Sequence, residues 1–470
     1  MKVYRILLNV FTFLVFCAPL YTFGADPGYS IKVRIKGLSN TKCYLGNYYG
    51  DKQYVKDTVK VDANGKFTFE GKERLPGGIY LIITPEKKYF EVLITDEQHF
   101  SMETDTLDFI HHMKIKDSEE NTLFYNYLSF ISTKSKDIEP LKKELDKIKN
   151  SKDSSAAIRA KMSVIDKDVK EYKTTFMKEH PAAFLSKIFK TSQEPEIPEA
   201  PKLENGKTDS TFAYRYYKAH FFDNIDFSDD RMIRTPIFHS KIEQYIKNLT
   251  YQIPDSINKA ADYIVSMATG TEIFKYVVWY ITNTYETSNI MGMDAVFVHM
   301  VENYYTKAKA YWLDDAQLFK ITEAAKKVKP ILLGKKAPSI ILKDTSDVVH
   351  SLYNLKSKYT VLFFWDPDCG HCQKAIPKLI EFNEKFKNKD VKVMAVCTEV
   401  EEAKWKKFVR EKKLTFLNVA DPKLQSNFRY EYNISSTPQI FVLDDNKIIL
   451  AKKLDIEQLN DFMERQLKVK

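Results

Sequence analysis

The sequence predicts a multidomain protein in three parts: a small antiparallel β-domain, an α-helical middle domain and a C-terminal α/β domain. Three observations carry this. A chain of 470 residues exceeds what one hydrophobic core usually serves. The hydrophobic period lengthens from two residues to between three and four near Thr106. Beyond Gly334, short apolar runs alternate with amphipathic stretches.

In chain order, Lys2 and Arg5 precede an apolar run over 6–20, followed by Gly24 and Ala25 and then polar text from Asp26. That pattern predicts an export signal over residues 1–24, with an uncleaved anchor as the rival reading. Cys17 follows Phe16, where a lipid-attachment site wants a small residue. No later stretch is long and apolar enough to span a bilayer; 273–282 reads as a buried helix.

Residues 26–106 read as the β-domain. Ile31, Val33 and Ile35 alternate with Lys32, Arg34 and Lys36. Runs at 58–61 and 66–70 flank Asp62-Ala63-Asn64-Gly65, a hairpin turn in which Gly65 can take positive φ. Pro76-Gly77-Gly78 is a second turn, between further strands at 79–84 and 89–95. Residues 107–330 read as helical, with Leu123, Tyr127 and Phe130, then Ile242, Ile246 and Leu249, then Ile273, Val277 and Tyr280 at helical spacing. Pro181, Pro254 and the proline-rich stretch 194–201 interrupt the helices. The many Tyr and Phe here are read as packing. Asp223, Asp226, Asp229 and Asp230 lack the spacing of a known calcium loop and are read as helix caps and ion pairs.

Residues 334–470 form the α/β domain. A strand over 360–365, a helix from the cysteines to Phe386, a strand over 391–397, a helix over 402–412, a strand over 416–420, a short helix over 424–430, a hairpin of 439–443 with 447–453 and a helix over 456–467 are expected. This order implies a mixed sheet with helices on both faces.

Composition excludes some functions. With 72 basic and 63 acidic residues the net charge of +9 is too mild for a nucleic-acid footprint, and the basic residues alternate with acids. After residue 24 only Cys43, Cys369, Cys372 and Cys397 remain, too few for a disulfide-built scaffold. A zinc site wants a second Cys pair or a Cys/His pair; Cys43 and Cys397 stand alone, and His111 and His112 are adjacent, so no metal is expected. Cys397 and Cys43 read as small core residues.

Cys369 and Cys372 then carry the chemistry. A strand running into Cys369 puts it where the chain turns into a helix, whose free N–H groups and partial positive charge favour a thiolate. Cys369 is the nucleophile; Cys372, one turn on, can attack a mixed disulfide at Cys369. Gly370 is expected to permit a tight turn, and a protonated His371 to stabilise the thiolate further. Asp366 and Asp368 oppose this as nearby anions. Trp365 is expected to form a wall beneath the cysteines and to shape the substrate face.

With those residues in view, the last 140 or so residues resemble a thioredoxin fold of the TlpA-like disulfide reductase family. The match rests on Gly334-x-x-Ala337-Pro338, Phe364-Trp365, Cys369-Gly370-His371-Cys372, Pro377, and Ile434-Ser-Ser-Thr437-Pro438-Gln439. The resemblance implies a cis-proline at Pro438 facing the cysteines and a place for Thr437 and Pro438 in substrate binding. The preceding segments, among them 222–231 and 252–256, resemble envelope thioredoxin-like proteins of Bacteroides-type bacteria. Two departures stand out: Phe363 and Ala375 occupy positions where relatives carry acids that move the resolving cysteine's proton.

The expectation is an exported thiol–disulfide oxidoreductase of the bacterial periplasm or cell envelope, with or without membrane association. It reduces protein disulfides through the Cys369–Cys372 couple, is resupplied by a membrane thiol electron donor and uses no cofactor. Two rival readings remain open. One is a disulfide isomerase, since the same four-residue motif occurs in isomerases. The other is an envelope binding or scaffold protein acting through its β and helical domains.

Overall fold

The alternating strands at the start of the chain build two four-stranded sheets. The computed structural model describes residues 28–147 and 152–468; the predicted export signal and Cys17 lie outside the described residues. The strands are β1 (Tyr29–Lys36), β2 (Lys42–Tyr49), β3 (Lys52–Lys60), β4 (Lys66–Gly71), β5 (Gly78–Ile83), β6 (Tyr89–Ile94), β7 (His99–Asp105) and β8 (Lys114–Lys116). One sheet has the order β4-β1-β7-β8, the other β3-β2-β5-β6. Ile31, Val33 and Ile35 are buried, as their alternation predicts.

Three expectations are corrected here. The turn at Asp62–Gly65 forms, with Gly65 at φ +76° and Asp62 Oδ1 accepting from the N–H groups of Asn64 and Lys66 at 2.8 Å. Its two strands do not pair with each other, however, but enter different sheets. The domain is also not wholly antiparallel, because β1 and β7 run parallel. Finally, strand structure continues past residue 106 to β8. Helices α1 (Glu119–Lys147) and α2 (Lys152–Glu179) follow, packed on each other through Phe130 and Tyr172, whose rings stack at 4.3 Å. Asn121, wholly buried, ties α1 to β6: its amide accepts from Leu93 N–H and donates to Leu93 C=O, both at 2.8 Å.

A second compact unit holds the remaining helices and the C-terminal domain. Its helical part comprises α3 (Phe184–Thr191) from Ser186 onward, α4 (Phe212–Ala219), α5 (Pro236–Lys247), α6 (Pro254–Met267), α7 (Thr271–Glu286), α8 (Asp294–Tyr304) and α9 (Asp315–Val328). Pro236 and Pro254 sit in the first turn of their helices, where a missing N–H is harmless. α7 is the apolar segment noted above; Ile273, Val277 and Ile281 are buried along it, and among the described residues no helix is long and apolar enough to cross a membrane. Asp226 and Asp229 both bind the Lys187 ammonium, at 2.9 and 2.7 Å, and Asp230 caps α7 by accepting from Ile273 N–H at 3.0 Å. The acidic cluster is thus engaged in ion pairs and a cap.

The C-terminal domain comprises β9 (Ile341–Asp344), β10 (Val349–Ser351), β11 (Tyr359–Trp365), α10 (Gly370–Phe386), β12 (Val391–Cys397), α11 (Glu402–Glu411), β13 (Leu417–Ala420), α12 (Phe428–Glu431), β14 (Gln439–Leu443), β15 (Ile449–Lys452) and α13 (Ile456–Lys468). The seven strands form one sheet, β10-β9-β13-β12-β11-β14-β15, with β11, β12 and β13 parallel. Every residue of β11 is buried because both faces are covered. Val361, Phe363 and Trp365 pack towards Ile376, Leu379 and Phe382 of α10 and Leu459 and Met463 of α13. Leu362 and Phe364 pack with Phe428 and Tyr432 on the other face. The β9–β10 hairpin at the sheet edge was not anticipated.

Candidate active site

β11 is a central strand whose ladder ends at Trp365, so the chain leaves the sheet there and must turn. Asp366 makes the turn: its backbone carbonyl accepts from Cys369 N–H at 3.2 Å and its Oδ1 from Asp368 N–H at 2.9 Å. Its Oδ2 accepts from the Thr398 hydroxyl at 3.0 Å, fastening the loop to the end of β12. Gln373 donates to the Pro367 carbonyl at 2.7 Å and holds the loop from the helix side. Neither Thr398 nor Gln373 was singled out from the sequence; both are polar residues just beyond a motif boundary.

Cys369 emerges as the N-cap of α10, with Sγ accepting from Cys372 N–H at 3.3 Å. Cys369 is half-buried and Cys372 fully buried, and both are free thiols. Sγ of Cys369 also lies 3.1 Å from the Thr437 carbonyl, and the Thr437–Pro438 peptide is cis. The two halves of the motif, 68 residues apart in sequence, therefore meet at one sulfur.

The electrostatics of the two sulfurs diverge. Burial raises the Cys369 pKa, and the Thr437 carbonyl accepts only from the protonated thiol. Hydrogen bonds from the Cys372 thiol, from Thr437 and from the backbone N–H groups of Cys372 and His371 outweigh both and hold Cys369 below the ordinary thiol value. Burial, followed by the neighbouring Cys369 sulfur, pushes Cys372 up to about 12. Phe363 and Ala375 are both buried and apolar.

Four expected roles change. The part of His371 that favours the thiolate is its backbone N–H, while its side chain is exposed. Gly370 is the first residue of α10, has no positive φ, and a Cβ there would meet nothing within 4 Å, so the turn does not require glycine. Trp365 is fully buried, 5.1 Å from the Phe408 ring, so it supports the loop from below and is out of a substrate's reach. Asp368 is paired with Lys404, which also binds Glu399 at 2.9 Å. Oxygens of Asp366, Asp368 and Glu399 lie within 4.8 Å of one another, and that lysine ammonium already neutralises two of the three carboxylates. Cys397, wholly buried, has its pKa raised by burial, and Cys43 is pushed up to about 11 for the same reason.

The arrangement is a half-exposed sulfur of lowered pKa backed by a buried thiol of raised pKa, which suits exchange with a disulfide. Residues 333–452 match the AhpC/TSA family, and residues 29–124 and 159–329 match two domains of unknown function, DUF4369 and DUF5106. A thiol-disulfide oxidoreductase ResA of Bacillus thuringiensis (strain Al Hakam) is 31% identical over 137 residues, which are 29% of this chain and 77% of that protein. A Bacillus cereus protein of the same name is 29% identical over 136 residues, covering 29% and 76%. Among solved structures, a domain of a possible thiol-disulfide isomerase from Cytophaga hutchinsonii is 45% identical, covering 30% of this chain and 97% of that one, with a TM-score of 0.28. The thioredoxin domain of a Bacteroides vulgatus thiol-disulfide oxidoreductase is 29% identical, covering 29% and 98%, also at 0.28.

Proposed function

The chain belongs to the thioredoxin-like AhpC/TSA family and is a thiol–disulfide oxidoreductase; on that premise we propose that it reduces disulfides of exported proteins in the bacterial cell envelope through Cys369 and Cys372. The observation that carries this reading is the opposite displacement of the two sulfurs, one lowered at a half-open helix start and one raised beneath it.

In the forward step the Cys369 thiolate attacks one sulfur of a substrate disulfide. A Cys369–substrate disulfide forms, the substrate S–S bond breaks, and the departing thiolate takes a proton from solvent. Cys372 then loses its proton and attacks Cys369 Sγ, forming the Cys369–Cys372 disulfide and releasing the second substrate thiol. The substrate gains two electrons and two protons, and the protein couple is oxidised. With Phe363 and Ala375 supplying no carboxylate, water or the substrate sulfur that leaves in this second step takes the Cys372 proton. A membrane thiol donor returns the couple to the dithiol, and residues 1–24 direct export. No metal or organic cofactor enters these steps. Thr437 and Pro438 border Cys369 and present backbone to the substrate chain.

The test is a Cys372→Ala trap expressed in a bacterial envelope. Disulfide-linked adducts that dissolve on reduction are expected; their complete absence favours the scaffold reading. The couple's potential separates the two directions of catalysis, since thioredoxin sits at about −270 mV and protein disulfide isomerase at about −180 mV. A value near the latter contradicts a reductase.

A further inference from the structure

Beside the redox pair runs a groove of ≈ 850 Å³, lined among others by His371 and Lys374 of α10, Ser436 and Pro438 of the proline loop, Lys453 and, from the helical part, Asn289. We propose that this groove selects an extended substrate segment bearing acidic residues next to its disulfide, and that the α7–α8 loop supplies one of its walls. The proposal rests on the oxidoreductase reading above and names the substrate class it takes.

The charge balance of the lining carries the first half. Two of its lysines are already matched: Lys378 pairs with Glu457, and Lys452 with Asp294. Of the two acids in the lining, Glu457 is thus used, and Asp455 caps α13 by accepting from Gln458 N–H at 2.7 Å. Lys374 and Lys453 have no carboxylate partner among the described residues; Lys453 instead donates to the Ser288 carbonyl at 3.0 Å. The groove therefore presents two ammonium groups without an ion-pair partner against the single unpaired carboxylate of Asp455, an excess of positive charge. The rest of the lining is divided evenly between hydroxyl or amide residues and apolar ones, which suits a main chain with mixed side chains laid along the proline loop.

The second half rests on how the wall is held. Met291 packs against the core of the C-terminal domain. The Lys452–Asp294 pair joins β15 to the start of α8, with side chains only 3% and 8% exposed, and Lys452 Nζ also donates to the Ile331 carbonyl at 2.6 Å. The loop carrying Ser288, Asn289 and Met291 is thereby anchored at both sides of the groove, and Asn289 is a fixed part of it.

Two synthetic peptides test this, identical except that the residues flanking their single disulfide are Glu in one and Lys in the other, with the neutral bis(2-hydroxyethyl) disulfide as a third substrate. The full-length protein is expected to reduce the Glu peptide about fivefold faster in kcat/KM, the size expected of two exposed ion pairs. That ratio falls towards one in about 0.5 M salt, where charges separated by more than a few ångströms are screened, and inverts in Lys374→Glu/Lys453→Glu. Asn289→Trp lowers both peptide rates relative to the hydroxyethyl disulfide rate. Equal peptide rates with the small disulfide still reduced overturn the acidic preference and leave the oxidoreductase reading intact. An unchanged peptide-to-small-disulfide ratio in Asn289→Trp overturns the role of the wall. If all three substrates stay oxidised, the underlying reading fails with the proposal.

Discussion

Cys369 and Cys397 lie at the ends of adjacent parallel strands, yet their sulfurs have opposite chemistry. Trp365, the last residue of β11, is in register with Cys397, the last residue of β12. Cys397 is still inside the sheet, wholly buried, and burial drives its pKa up. Cys369 comes four residues after Trp365, beyond a turn, at the N-cap of a 17-residue helix, and its pKa is driven down. The residue type is the same and the fold layer is nearly the same. What differs is whether the sulfur meets apolar side chains or hydrogen-bond donors, here the Cys372 thiol, Thr437 and the unpaired N–H groups of a helix start. Reactivity is thus a property of where the strand stops.

The comparison breaks most completely at Cys369. Cys369→Ser is expected to lower insulin reduction to background, a loss of roughly 10³-fold or more; retained turnover in that variant would move the nucleophile elsewhere. Cys372→Ala should lose turnover while still forming adducts at Cys369, visible as reducible high-mass bands on a non-reducing gel. Thr437→Val removes a hydrogen-bonding group that favours the Cys369 thiolate. It should slow alkylation of Cys369 near neutral pH by about three- to tenfold, the latter corresponding to one pKa unit. Cys397→Ala should leave disulfide reduction within about twofold of the parent and cost only the burial of one small side chain, of order 1 kcal/mol in a denaturant titration.

A pH titration of stability sharpens the same contrast. Cys43 and Cys372 have folded pKa values raised above the ordinary thiol value of 9.0, to about 11 and about 12. Their contribution is fully present below the unfolded value. Above it the unfolded chain ionises first and the folded state does not. For the reduced protein, stability therefore falls as pH rises from about 9, by up to about 1.4 kcal/mol per pH unit per raised thiol. A reduced protein equally stable at pH 8 and pH 10.5 would remove these sulfurs from the buried class.

Much of this was legible before any coordinates. The run 360–365 is apolar without alternation because it is covered on both faces, and the expected helix end at Phe386 and strand bounds at 391–397 coincide with α10 and β12. Cys369 at a strand-to-helix turn follows from local pattern alone. Other features depend on partners distant in sequence. The turn at Asp62–Gly65 forms locally, but which sheet each flanking strand joins is decided by β1 and β2. The wall that Trp365 is expected to form beneath the cysteines is there, but its expected share in the substrate face is not, because a motif gives order along the chain and not the direction of a side chain; on a strand, the next residue points to the opposite face. Gly370 and the His371 ring were assigned backbone and charge roles that the helix N-terminus itself performs. Asn289 could not be linked to the cysteines from sequence, since 80 residues and a buried ion pair bring it to their groove.

The central claim is that the sulfur of Cys369 is ionised more readily than an ordinary thiol because the Cys372 thiol, Thr437 and the N–H groups of the helix that begins behind it all donate to it. The most direct measurement is the pH dependence of alkylation of the reduced protein by iodoacetamide, with each cysteine followed by peptide mass spectrometry. The account predicts that Cys369 is modified first, with a midpoint below the ordinary thiol value, while Cys372 and Cys397 stay unmodified through pH 9. A midpoint for Cys369 at or above that ordinary value, or earlier modification of either buried cysteine, would contradict it.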